Sequence, residues 1–258
     1  MRFFEKFLPI VASAHGQEVD RVIYMVHLLM ALLFIGWSFY FVVVLFKFRR
    51  KRNPKASYEG AHSHVSTAIE AGIIVCEAVL LLGLSIPFWV KHVVALPESH
   101  DVVEIHVNAQ QFAWNIHYPG PDGLFGKTDW KFFDKQSNPM GLDPDDPAGK
   151  DDVTTINQLH LPVGKTALIY LTSRDVLHSF FIPVMRVKQD VIPGMRIPVW
   201  FTPIKTGQWE IACAQLCGLG HYRMRGFLTV HSLEEYEKWV KEQSAPAGAN
   251  EKHDEFWN

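Results

Sequence analysis

Cysteine is scarce in this sequence: three residues in 258, too few for a disulfide framework. No Cys-x-x-Cys-His segment occurs, so the chain attaches no c-type haem of its own. A basic excess is also missing from the larger part. Residues 1–90 carry nine Lys/Arg against six Asp/Glu, whereas 91–258 carry sixteen against twenty-one. An acidic hydrophilic portion disfavours nucleic acid as a partner. Formal charge is absent altogether from Val22 to Phe46. About 20 apolar residues suffice for a helix to cross a bilayer, so this run argues against a plain soluble enzyme.

A second apolar stretch, Ala71 to Val90, carries one charge, Glu77. Together the two predict a transmembrane hairpin over 22–90, with spans at about 22–46 and 68–90. Between them lie Lys47, Arg49, Arg50, Lys51, Arg52 and Lys55, and a basic loop next to a span marks the cytoplasmic side. Both termini then face outward, which for a bacterium means the inner membrane with a periplasmic domain. Residues 1–21 form an external N-terminal segment. Arg2 and Lys6 before Phe7–Ala12, with Ala12-Ser13-Ala14 following, resemble a signal peptide, but the apolar run is short for that role. Glu70 and Glu77 are seven residues apart and share a helical face. Carboxylates at membrane depth face protein or water, which suits a proton route or a polar contact with a neighbouring helix.

From Val103 the period changes. Val103, Ile105 and Val107 alternate with Glu104, His106 and Asn108, the mark of a half-buried strand. Similar runs follow at 155–161, 165–172, 178–183, 197–202, 207–213 and 226–231. Seven short strands separated by turn residues predict a β-sandwich or barrel over 91–243. Ser232 and Glu235 form the pattern of a capping box ahead of one helix, and 244–258 reads as a flexible tail. The loop 119–153 concentrates aspartates among glycines and prolines without the spacing of a calcium loop. It reads as a solvated docking or packing loop.

Chemistry concentrates in Cys213-Ala-Gln-Leu-Cys217-Gly-Leu-Gly-His221-Tyr-Arg-Met224, with His178 upstream. Two thiols, an imidazole and a thioether in twelve residues favour a soft metal such as copper. A mononuclear blue-copper site needs one Cys; two thiolates can bridge two metals. A Cys213–Cys217 disulfide and a Cys2His2 zinc site remain alternatives, though both leave Met224 without a role. Cys76 is a small apolar side chain within a span.

At these residues the chain resembles subunit II of the haem–copper cytochrome c oxidases. The resemblance extends over the N-terminal hairpin, Asp175-Val-Leu-His178-Ser, Lys188-Gln-Asp190-Val-Ile-Pro193-Gly194 and the Cys213–Met224 loop. It implies an all-β cupredoxin-like Greek-key sandwich after a two-helix hairpin. It also implies a binuclear copper centre (CuA) on His178, Cys213, Cys217, His221, Met224 and the main-chain carbonyl of Gln215. Such a subunit takes single electrons from cytochrome c and passes them to haem in subunit I, which carries the haems and CuB. There O2 is reduced to water and protons are translocated. Subunit I, and with it subunit III, are the implied partners in the lipid bilayer. The copper-free subunit II of a quinol oxidase is the alternative, and the filled ligand set separates the two. The resemblance further places electron intake at an aromatic surface segment, here Gln111–Tyr118, with Phe112 at the position of a tryptophan and Trp114 as substitute. Glu70 matches the entrance of a proton path. Gln215 stands where the family commonly has Glu, which makes a magnesium site there doubtful.

Overall fold

The structure is a computed structural model, and it describes residues 8–55, 58–59, 64–97, 102–135 and 137–244. The tail beyond 244 and the Arg2–Lys6 part of the leader-like segment lie outside these residues. The described residues divide into two compact units, one of Leu8 with those in 17–95, the other of 9–16 with those in 96–244.

The first unit holds helices α1 (Gly16–Lys47) and α2 (His64–Val94), both long and apolar enough to cross a membrane, with none of their apolar window buried. Each exceeds the span expected from hydropathy, because the helical hydrogen-bond ladder runs on past the apolar run into polar flanks. His27, the polar exception within α1, donates from Nδ1 to the Ile23 carbonyl at 2.8 Å, so it satisfies itself within its own helix. The second helix widens to i→i+5 geometry at Val79–Ser85 and Val90–Val94. Glu18, near the start of α1, meets Lys91 at 3.0 Å and His92 at 2.9 Å near the end of α2. This ties together the ends of the two helices that lie away from the basic loop.

The second unit is a sandwich of two five-stranded sheets. One has the order β3 (Val153–Ile156), β2 (Ala113–Tyr118), β1 (Val102–Gln110), β5 (Thr166–Ser173), β8 (Ile197–Phe201). The other runs β4 (Gln158–Pro162), β10 (Arg225–His231), β9 (Gly207–Cys213), β6 (His178–Ile182), β7 (Val187–Val191). The β1–β5 and β4–β10 pairs are parallel, so the chain changes sheets rather than folding as simple hairpins. Ile105, Val107, Ile116, Leu159, Ile169, Phe180 and Leu228, all with no exposed surface, fill the space between the sheets.

Among the described residues ten strands replace the seven expected, for local reasons. The 155–161 run divides at Asn157, whose φ of 60° turns the chain from one sheet to the other. Its Oδ1 accepts from Trp114 N at 2.8 Å, fastening the turn to β2. That strand alternates in sequence but not in burial, since residues 114–118 are all buried. The loop after β2 covers its outer face: Asp152 Oδ2 accepts from His117 Nε2 at 2.6 Å and from Gly126 N at 2.8 Å. Other aspartates of that loop accept backbone N–H groups at Leu124, Lys127, Lys131, Ser137 and Asp145. Much of its acidity therefore holds the loop's own turns. The seventh strand was too polar to stand out, with its middle Lys188-Gln189-Asp190 outside the core.

The N-terminal segment also departs from expectation. Rather than standing apart as a lead-in, 9–16 belongs to the sandwich. Ala12 N donates to Val184 O at 2.9 Å and Ile204 N to Ala12 O at 2.8 Å, while Ser13 Oγ donates to Met185 O at 2.7 Å. At the other end helix α3 (Leu233–Gln243) starts at Ser232 with both halves of the capping box in place.

Candidate metal centre

Three pieces of chain supply the donor atoms. His178 opens β6, Cys213 closes β9, and Cys217, His221 and Met224 lie on the connection from β9 to β10. Pairing of Phe180 with Cys213 sets the first two side by side. The connection is cinched at its base, where Cys213 N donates to Met224 O at 3.1 Å and Ala214 N to Ser179 O at 2.9 Å.

Within this frame the donors converge. The Cys213 and Cys217 sulfurs are 3.8 Å apart, and both cysteines are free. Cys213 Sγ lies 3.9 Å from His178 Nδ1 and 3.2 Å from the Gln215 main-chain oxygen. Cys217 Sγ lies 3.7 Å from His221 Nδ1 and 3.8 Å from Met224 Sδ. Each thiol thus has one imidazole and one weaker donor on its own side, a nearly symmetrical arrangement. His178, Cys213 and Cys217 form the one group of three candidate metal ligands among the described residues. A single tetrahedral ion would leave two of the six donors idle, whereas two soft ions sharing both thiols would use all six. The donor set fits a copper pair.

Electrostatics prepare the thiols unequally. Burial opposes ionisation of Cys213, but His178 and backbone hydrogen bonds at Gln215 and Ser179 outweigh it and bring the thiol down to about 6. Burial and the neighbouring Cys213 push Cys217 up to about 12. One sulfur is ready to bind as thiolate; the second gives up its proton to an arriving cation.

The surrounding shell contains groups that residue pattern alone had not assigned. Asp175 Oδ1 accepts from His178 Nε2 at 2.9 Å, and its other oxygen accepts from Gln111 N at 2.7 Å. Burial would raise this carboxyl, yet His178 and the N–H groups of Gln111 and Val176 hold it below its usual range. Gln111 Nε2 donates to Cys217 O at 2.7 Å. An acid three residues before a ligand histidine was the available signal for Asp175; Gln111 had none.

Within the aromatic segment 111–118, Gln111 is exposed, Phe112 and Ala113 are half-buried, and 114–118 are buried. Trp114 has no exposed surface and meets His178 edge-on at 6.1 Å. Phe112 lies beneath the ligand loop, so close that a Cβ on Gly220 would fall on its ring. Gln215 is exposed, with its main chain directed at Cys213. Glu70, on α2 in the other unit, is exposed and accepts from Ser66 Oγ at 3.0 Å.

A family described as "Cytochrome C oxidase subunit II, periplasmic domain" matches residues 103–230. The alternative cytochrome c oxidase subunit 2 of Bradyrhizobium diazoefficiens is 35% identical over 232 residues, 89% of this chain and 82% of that relative. The chain belongs to the cytochrome c oxidase subunit II family. Subunit 2 of Alkalihalophilus pseudofirmus is 30% identical over 224 residues, 84% of this chain and 56% of that one. Among solved structures, the periplasmic domain of subunit II of cytochrome oxidase from Bradyrhizobium japonicum is similar, at 28% identity and a TM-score of 0.42, covering 58% of this chain and 96% of that one. Membership in this oxidase subunit family accounts for the pairing of apolar helices with a sandwich domain of cupredoxin type.

Proposed function

We infer that this subunit II holds a binuclear copper centre and relays single electrons from cytochrome c to haem in subunit I of a respiratory oxidase. The observation that carries the reading is the convergence of six donors around two free thiols 3.8 Å apart. His178, Cys213, Cys217, His221, Met224 and the Gln215 carbonyl would hold the metals. Held there by Cys213, Cys217 and the other donors, a copper pair would supply a one-electron carrier.

The chain's own residues do the rest. The β6–β9 pairing and the cinched loop fix the donors before metal arrives, so little rearranges when an electron comes or goes. Asp175 keeps the Nε2 proton of His178 in place and leaves Nδ1 facing Cys213, the outer-sphere support that orients ligand histidines. Phe112 and Trp114 pack against the loop and His178 and keep water from that side.

The membrane arrangement follows from the same reading. The described parts of segments 9–16 and 96–244 belong to one unit, which supports an even number of bilayer crossings by the chain between them. With the basic loop 47–55 inside, the sandwich faces the periplasm. Glu70 is offered as the entrance of a proton path, and subunits I and III as the hairpin's partners. A copper-free quinol-oxidase subunit is disfavoured, because nothing would then maintain all six donors.

Metal content of the purified oxidase tests this. Two coppers in subunit II sharing one unpaired electron, seen by electron paramagnetic resonance, are the expected result. A single copper, or copper retained after removal of both Cys213 and Cys217, would overturn it.

A further inference from the structure

Two exposed faces flank the centre, and they differ in kind. The ligand loop presents Leu216, Leu219 and Tyr222, 77%, 97% and 85% exposed. So apolar a face has the composition of a permanent subunit contact. The other face is built on the loop between β2 and β3. There Trp130 is 70% exposed, its ring stacked on Phe133 with centroids 5.3 Å and planes 17° apart. The Arg174 guanidinium lies 3.7 Å from the Phe133 centroid and 5.4 Å from that of Trp130. Arg174 is anchored through its N–H to Ala109 O at 3.0 Å. The next residue, Asp175, accepts from His178 Nε2 at 2.9 Å. An exposed indole is thus joined to a ligand imidazole by one ring stack, one cation–π contact, one peptide link and one hydrogen bond. Of the two aromatics expected from the sequence, Trp114 is fully buried and Phe112 is half-buried under Gly218 and Gly220, so Trp130 is the more exposed.

We propose that Trp130 is the contact point of a one-electron donor protein, with Phe133, Arg174 and Asp175 linking that contact to His178. The proposal rests on the copper reading above. The continuity of this path with a metal ligand selects a redox partner over a merely structural one. The rim gives the partner's character. Lys131 faces Asp129 at 3.6 Å, and the Asp134 carboxylate is taken up by Ser137, so the surroundings of Trp130 present no block of one charge. The partner is a haem protein that offers its haem edge within a flat, weakly charged patch, held by stacking more than by ion pairs. One electron leaves its ferrous haem, which becomes ferric, and is gained by the copper pair. No bond is made or broken and no proton moves.

The test uses the complete oxidase with Trp130→Ala and Trp130→Phe, and a soluble monohaem cytochrome c as probe. Trp130→Ala should lower the second-order rate of reduction by about tenfold or more, the loss expected of an interface tryptophan, and the loss should persist at high salt. Trp130→Phe should recover most of it. Binding of the same cytochrome to copper-depleted oxidase should weaken in Trp130→Ala alone, while reduction by a small ruthenium complex and the copper resonance spectrum stay as in the unaltered protein. Unchanged reduction and binding in Trp130→Ala would overturn the proposal. Loss of subunit I from the purified variant would also overturn it, making Trp130 a subunit contact. An unaltered oxidase lacking the two-copper signal would instead sink the copper reading on which the proposal rests.

Discussion

Asp175 Oδ1 sits 2.9 Å from His178 Nε2, which turns the opposite nitrogen, Nδ1, toward the Cys213 thiol at 3.9 Å. One carboxylate thereby sets both the tautomer and the aim of a ligand. Asp175→Ala should lower copper affinity by about tenfold or more, the usual cost of losing such support, with Asp175→Asn in between. Copper titration against a competing chelator measures this. Equal affinity in all three proteins would show that β6 alone positions the ring.

Gly220 has φ −91°, a conformation open to any residue, so its role is purely steric: a Cβ there would meet the Phe112 ring. Gly220→Ala should therefore destabilise the sandwich by about 1–3 kcal/mol, the usual cost of overpacking, and disturb the copper spectrum. Adding Phe112→Leu should recover part of both losses. Thermal unfolding of the single and double variants decides. An additive double variant would mean that the ring and the loop do not press on each other.

Gln215 offers the centre its main chain and leaves a neutral amide where a carboxylate would hold a hard cation. The oxidase should load Mn2+ poorly beside the copper, and Gln215→Glu should raise occupancy severalfold. Paramagnetic resonance of Mn2+-grown protein reads this directly. Full occupancy with glutamine in place would contradict it.

The helix α3 packing carries a pH dependence. His160 Nδ1 lies 2.8 Å from His231 Nε2, and the His160 ring stacks on Trp239 with centroids 4.1 Å apart. Burial, with His231 adding to it, lowers His160 from 6.5 to about 4. Burial lowers His231 too, against the pull of Glu235. A histidine whose folded pKa is depressed is held neutral, so its contribution is intact above the unfolded pKa and lost as pH falls below it. From pH 6.5 to 4, the loss at His160 approaches about 3 kcal/mol, at 1.36 kcal/mol per unit. Amide exchange in α3, corrected for intrinsic rates, should accelerate over that window. His160→Gln should flatten the trend; an unchanged slope in that variant would assign the effect elsewhere.

The proposed donor set stands out in the sequence because its chemistry is dense: Cys213, Cys217, His221 and Met224 fall within twelve residues, and the fold brings their sulfur and nitrogen atoms together. His178 was legible as a lone imidazole set ahead of that cluster. What stayed hidden were relationships made by long-range pairing. Nothing local links Gln111 to Cys217, 106 residues on. In sequence β2 alternates, Trp114, Ile116 and Tyr118 against Asn115 and His117, but nothing local shows that His117 is buried against Asp152, each side chain at most 1% exposed. Trp130 was passed over because it sits in a loop read by its aspartates, and only the fold brings Phe133 and Arg174 to it.

The union of residues 9–16 with the sandwich also dictates the timetable of biogenesis. Ala12 leaves the ribosome early, but Val184 and Ile204, its hydrogen-bond partners, are synthesised only after both helices. At roughly 5–20 residues per second, that edge of the sheet waits on the order of ten seconds or more without its partners. On the proposed topology it closes only once both helices have been threaded, with both ends on one side. Closure of this seam would therefore act as a proofreading step on the proposed hairpin: a subunit with only one of its two helices across the bilayer would strand Ala12 and Ser13 on the opposite side from Val184, Met185 and Ile204.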